Sequence, residues 1–188
     1  MIGMAGAPAE KSAFCSSAPF ERQAFPQAAI YCSDGRFADQ INQFLHQGLG
    51  LDGYDRLAIA GGPACFAGYF EAYREEEGAV SHLRFLSRLH KLSRLILISH
   101  EGCGFYSDFL RVSELGLHDR LRNDLSRAAR RIREVEAKLR IEGYLARVNG
   151  SSVWFEPESS PVPELLFSNL REQMAAPRAR MRAFLRQA

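Results

Sequence analysis

With 188 residues, 46% of them hydrophobic and 24% charged, the chain has the make-up of one globular domain large enough to bury a sizeable core. Its net charge of +2 gives no bulk electrostatic case for nucleic acid or a membrane surface, and no apolar run approaches the ~20 residues that a bilayer span needs. The N-terminus lacks a basic region followed by a continuous apolar run, so no secretory signal is expected. The four cysteines, Cys15, Cys32, Cys65 and Cys103, are therefore expected to serve metal or thiol chemistry in the cytoplasm rather than a disulfide framework.

In chain order, residues 1–27 read as an N-terminal arm, of which 1–20 are rich in Ala, Ser, Gly and Pro and so flexible. A first strand is predicted over about 28–33. A helix then starts near Phe37, with Phe37, Ile41, Phe44 and Leu45 at helical spacing and Gly48 or Gly50 to end it. A second strand over 57–60 runs into Gly61-Gly62-Pro63, a tight turn that must pass close to something. Pro63 can open a short helix holding Phe66, Tyr69, Phe70 and Tyr73. Glu75-Glu76-Glu77 reads as a solvated charge run. The next helix is predicted over 78–92, with Val80, Leu83, Leu86 and Leu89 as its buried stripe.

Leu95-Ile96-Leu97-Ile98-Ser99 forms a third strand that ends at His100. The longest helix is predicted over 117–140. Its buried face carries Leu117, Leu121, Leu125, Ala128, Ile132, Val135 and Leu139, and its solvated face Arg127, Arg130, Arg131, Glu134 and Lys138. Segments 144–149 and 153–156 flank Asn149-Gly150-Ser151-Ser152 and read as a β-hairpin. Pro161 and Pro163 precede a C-terminal helix over 161–188, with Leu165, Leu166, Phe167 and Leu170 on it. Strand–helix alternation predicts an α/β fold with a mainly parallel sheet, helices on both faces and right-handed crossovers. Ligands bind such sheets beyond the C-terminal strand ends, where strand order reverses.

That is where the chemistry-bearing residues fall. Cys32-Ser33-Asp34-Gly35-Arg36 ends the first strand and His100-Glu101-Gly102-Cys103-Gly104 ends the third. Two thiolates and one imidazole suit zinc, and three protein ligands leave a fourth tetrahedral position open, as in catalytic sites. Asp34 stands two residues after the first ligand and Arg36 two after that, so a carboxylate with its own guanidinium partner adjoins the metal group. From the residues alone, the set also suits an inert structural zinc corner with Asp34 as permanent fourth ligand, and Asp34–Arg36 also suits an ordinary strand-end ion pair. His46, His82, His90 and His118 read as surface or core histidines, and Cys65 as a small buried hydrophobe.

Cys32-x-Asp34-x-Arg36 followed by His100-x-x-Cys103-Gly104 resembles the β-class carbonic anhydrases, over about residues 28–156. The resemblance implies a Rossmann-like sheet of order 2-1-3-4 with an antiparallel fifth strand, in a single domain spanning 1–188. It implies zinc bound by Cys32, His100 and Cys103, with Asp34 and Arg36 as the catalytic pair and Asp34 as a fourth ligand in a closed form. Gly61, Gly62 and Gly104 would border the substrate pocket. The implied reaction is reversible hydration of carbon dioxide to bicarbonate by a zinc lyase. A zinc hydrolase of carbon disulfide or carbonyl sulfide, or a non-catalytic zinc-containing binding module, is the alternative. The resemblance also implies a homodimer or tetramer, with the N-terminal arm packed on a partner subunit through Phe14, Phe20 and Phe25. The chain departs from the family pattern at Gly35, where a serine is usual, and at Ala58-Ile59-Ala60-Gly61-Gly62 after strand two. Gln23 and Gln27 are the candidates for the family's substrate-binding glutamine.

Overall fold

The computed structural model describes residues 13–113 and 115–158. Five strands form one sheet: β1 (Gln27–Cys32), β2 (Asp55–Ile59), β3 (Arg94–His100), β4 (Arg140–Asn149) and β5 (Ser152–Glu158). Their order is β2-β1-β3-β4-β5, the expected one. The pairs β1–β2, β1–β3 and β3–β4 are parallel and β4–β5 is antiparallel. The middle strands are continuous apolar runs because both their faces are covered. Ala28, Ala29 and Ile30, like Leu95, Ile96 and Leu97, are 0% exposed. β2 and β3 lie on opposite sides of β1, so strand order reverses between β1 and β3.

Alternation along β1 and β3 sorts the core into two layers. Ala28, Ile30, Leu95 and Leu97 pack with Val80, Leu83, Leu125, Ala128 and Ile132 of two long helices, α2 (Tyr73–His90) and α3 (Leu117–Val135). Ala29, Tyr31, Ile96 and Ile98 pack on the other face with Phe37, Ile41 and Leu45. Those three come from a compound helical segment rather than one regular helix. A 3-10 turn (Gly35–Phe37) leads into α1 (Ala38–Gln43), and a π-helical turn (Phe44–Gly48) closes it. The β4–β5 hairpin turns through Gly150, whose φ is 59°, between the paired residues Asn149 and Ser152.

Several expectations are corrected. The helix after Pro63 is only a 3-10 turn, Gly62–Phe66. Gly68, at φ 78°, breaks the chain there and leaves Tyr69 and Phe70 in a loop. α2 starts at Tyr73 and takes in the glutamate run, whose carboxylates suit a helix N-terminus. Glu75 and Glu77 are exposed, but Glu76 is buried against Arg131 of α3, at 2.6 Å from its Nε. Leu89 is 56% exposed. The spacing 80, 83, 86, 89 is three residues per step, so each step falls about 60° short of a full turn and Leu89 ends on the far side from Val80. α3 ends at Val135, and Arg140 already opens β4, its N–H donating to Ser93 O at 2.9 Å. Leu139 is still buried, in the turn between them. Residues 13–26 make no strand or helix, and Phe14 and Phe20 are exposed. Residues 1–12 of the arm and the C-terminal helix expected over 161–188 lie outside the described residues. Among the described residues no helix is long and apolar enough to cross a membrane.

Candidate metal centre

Cys32 is the last residue of β1 and His100 the last of β3, so neighbouring parallel strands deliver both to the same end of the sheet. Gly102, at φ 65°, turns the chain so that Cys103 comes back over that end. One ligand atom from each of the three lies within 4.8 Å of the others. The two Sγ atoms are 3.7 Å apart, and all three residues are buried. Glu101 anchors the intervening turn. Its N–H donates to Ala146 O at 3.0 Å, and its carboxylate accepts from Arg147 Nε and Val148 N, each at 3.0 Å.

His100 Nδ1 lies 2.8 Å from Glu101 O. A carbonyl only accepts, so Nδ1 carries the proton and Nε2 keeps its lone pair. Nε2 is buried and has no hydrogen-bond partner among the described residues. The Phe37 ring, 4.2 Å from the imidazole centroid to centroid, packs against it. A buried acceptor without a donor is costly, and a cation relieves that cost. The donor set of two sulfurs and this nitrogen fits zinc, and the Nδ1–carbonyl bond is the kind of outer contact that orients a ligating histidine.

The two thiols share one hydrogen bond. That bond from Cys103, helped by the N–H groups of Asp34 and Gly61, lowers Cys32 against the opposing effect of burial. The same bond, with burial, pushes Cys103 up. One thiol therefore ionises readily, and the second proton leaves when a cation takes its place.

Asp34 follows Cys32 at the N-cap of the Gly35–Phe37 turn, where its Oδ1 accepts from Arg36 N at 3.0 Å. The Arg36 side chain grips the same carboxylate, with Nε 3.0 Å from both oxygens and Nη2 2.5 Å from Oδ2. Nη2 also reaches Gly102 O at 3.3 Å, tying the pair to the Cys103 turn. The hydrogen bonds from Arg36 hold Asp34 down at about 2, so it is ionised at any working pH. With the Arg36 side chain 70% exposed, the ion pair contributes little to stability. Its effect is on orientation, and it turns the Asp34 carboxylate to the guanidinium.

Gly61 and Gly62 have φ of 75° and 54°. A Cβ on Gly62 would stand 2.7 Å from Cys32 N, and one on Gly61 2.5 Å from the Phe105 ring. Both positions let backbone and ring close tightly around the Cys32 end of the centre. At Gly104 a Cβ would meet only Asp108 Oδ2, at 3.3 Å. Gly62→Ala is expected to destabilise the fold by about 1–3 kcal/mol through overpacking and left-handed strain, measurable as a lowered midpoint in urea. An unchanged midpoint would contradict the close approach.

The remaining sequence candidates fall elsewhere. Gln27 donates to Gly53 O at 2.7 Å from the far end of β1, and Gln23 is exposed. His46 bonds Leu51 O and His90 bonds Asp55, each at 2.6 Å. Cys65 is 0% exposed in the helical layer, and burial raises its thiol. Sequence reading passed over Asp124, 0% exposed on α3, with Tyr69 and Tyr106 bonded to it. The available signal was an aspartate inside the apolar stripe, three residues after Leu121 and one before Leu125.

No family model matches this sequence, and no curated protein matches it. Solved structures do. A carbonic anhydrase from Glaciozyma antarctica shares 19% identity over 74% of this chain and 85% of its own, with a TM-score of 0.47. β-Carbonic anhydrase isoform I of Trichomonas vaginalis shares 15% over 76% and 88%, with a TM-score of 0.47. A carbonic anhydrase from Streptococcus mutans shares 15% over 74% and 87%, with a TM-score of 0.46.

Proposed function

We propose that this chain is a zinc-dependent enzyme that hydrates carbon dioxide reversibly to bicarbonate. The observation that carries this reading is the convergence of Cys32 Sγ, Cys103 Sγ and the unpartnered His100 Nε2 next to an ionised Asp34 held by Arg36. Zinc in this set supplies a Lewis acid that acidifies water near neutral pH. Two thiolates cancel the charge of the cation, so they acidify water less than three neutral histidines do. The chain must therefore supply the remaining help. Asp34, ionised and fixed in place, would orient the water by accepting a hydrogen bond from it. Arg36 fixes the Asp34 carboxylate and competes with the metal for it. Were Arg36 to let go, Asp34 would be free to serve as a fourth ligand and close the site. Gly35, where the family has a serine, adds no hydroxyl here.

Stopped-flow assay of the zinc-loaded protein with carbon dioxide, carbonyl sulfide and carbon disulfide tests the reading. Turnover of carbon dioxide supports it. Turnover of the sulfur compounds alone makes the chain a hydrolase of those compounds on the same site. No turnover of any of them, with the fold lost on zinc removal, makes the centre a structural element of a binding module.

The same proposal includes a cytoplasmic location and assembly as a dimer or a multiple of one. Phe14 and Phe20, 93% and 85% exposed, support assembly, because they are apolar side chains without cover among the described residues. Light scattering is expected to give an even-numbered oligomer that weakens when residues 1–20 are deleted. An active monomer at micromolar concentration counts against assembly.

A further inference from the structure

Asp124 is a fully buried carboxylate outside the metal group. Two tyrosine hydroxyls donate to its Oδ2, from Tyr69 and, at 3.0 Å, from Tyr106. Arg127 Nη1 lies 3.3 Å from Oδ1 and Arg120 Nε 3.6 Å from Oδ2. Arg120 Nε also donates to Tyr69 Oη at 2.6 Å, and both guanidinium groups lie over the Tyr69 ring, at 5.1 and 5.4 Å. Hydrogen bonding thus satisfies the carboxylate from the 61–72 loop, from the loop after β3 through its π-helical turn Phe105–Phe109, and from its own helix.

Those loops are the two that build the metal centre. Tyr69 belongs to the segment that begins at Gly61 and Gly62, whose backbone presses on Cys32. Tyr106 follows Cys103 by three residues, and its N–H donates to Cys103 O at 3.0 Å. Its carbonyl accepts from Val112 N at 2.8 Å and so closes the rest of that arm. Cys32, Cys103, Tyr106 and Leu121 share one packed cluster, with Tyr69 against it. A buried ion-pair network is weak evidence of stability, because apolar packing of the same volume often serves as well. What this network does that apolar packing cannot is fix two loops to α3 by directional bonds.

We propose that Asp124 is a positioning residue: through Tyr106 and Tyr69 it pins the Cys103 arm and the 61–72 loop to α3, and so holds Cys103 Sγ at metal-binding separation from Cys32 and His100. This inference rests on the zinc reading of the centre. It acts through other residues, so it differs in kind from the roles of Asp34 and Arg36.

The test compares Asp124→Asn and Tyr106→Phe with Glu76→Gln. Glu76 is also a buried carboxylate bonded to an arginine of α3, but among the described residues its carboxylate bonds to neither segment, and only its backbone N–H reaches Ala72 O, at 2.9 Å. Zinc affinity is read by competition with a chelating dye, and ligand geometry by the thiolate charge-transfer bands of the cobalt-substituted protein. Asp124→Asn and Tyr106→Phe are expected to weaken zinc binding about tenfold or more and to alter those bands, with far-ultraviolet circular dichroism unchanged. Glu76→Gln is expected to lower the melting temperature while keeping the wild-type affinity. Wild-type affinity in both Asp124→Asn and Tyr106→Phe, or an equal loss in Glu76→Gln, overturns the proposal. If Asp124→Asn does not fold, Tyr106→Phe decides by the same two readouts. A wild-type protein that binds no zinc overturns the zinc reading instead. Hydrogen exchange of the 103–112 amides in metal-free protein then decides the pinning. Protection lost in Asp124→Asn and kept in Glu76→Gln supports it, and protection kept in both overturns it.

Discussion

Cys103→Ala is expected to take the protein from about one zinc per chain to none after dialysis, and to abolish hydration with it. The proposed site has three protein ligands, and a pair of one thiolate and one imidazole would hold zinc far less tightly. The substitution also acts on Cys32. The hydrogen bond from Cys103 is the largest cause lowering that thiol, while burial opposes it. With Cys103 gone, the Cys32 thiol loses its largest lowering contact and its pKa rises, so alkylation of metal-free protein at Cys32 shifts to higher pH. Elemental analysis and the pH profile of alkylation measure the two effects separately. Full zinc retention in Cys103→Ala contradicts the ligand assignment, whatever the activity.

Arg36→Ala is expected to reduce carbon dioxide hydration at least about a hundredfold, the range for a lost acid–base contribution, with zinc retained. The sign follows from the carboxylate. Arg36 lowers the Asp34 pKa to about 2, so removing it lets that pKa rise toward its ordinary value of 3.8. Asp34 therefore stays ionised above about pH 5, and charge is not what is lost. What is lost is the orientation set by Nε and Nη2 and, on the proposed mechanism, the competition that would keep Asp34 from acting as a fourth ligand. Because the Arg36 side chain is 70% exposed, the unfolding midpoint should hardly change. Asp34→Ala makes the contrast, since it should keep zinc and leave the fourth position open with slow proton handling. Wild-type hydration by Arg36→Ala would reduce the pair to a strand-end ion pair.

The positions of Cys32 and His100 at strand ends were legible in the sequence for a physical reason. A buried parallel strand is a short apolar run, and its C-terminal end is marked by the first polar residues after it. Cys32 and His100 sit at those marks, and once β2 and β3 flank β1 on opposite sides, topology brings them together. The hairpin was legible for a similar local reason, because Asn149-Gly150 supplies its turn chemistry. What the sequence hid depends on contacts across elements. Glu76 looks solvated until α3 places Arg131 beside it. Asp124 looks like a flaw in an apolar stripe until two loops bring Tyr69 and Tyr106 to it. Leu89 failed for a geometric reason, a three-residue spacing that drifts around the helix. The helix after Pro63 failed because Gly68 takes a left-handed conformation that sequence periodicity does not weigh.

Diffraction from crystals of the zinc-loaded protein, recorded on both sides of the zinc absorption edge, tests the metal centre most directly. One anomalous peak per chain is expected, about 2.3 Å from the sulfurs of Cys32 and Cys103 and about 2.0–2.1 Å from His100 Nε2. A chain without that peak, or with the metal bound elsewhere and His100 Nε2 still unpartnered, would contradict a zinc enzyme built on these three residues.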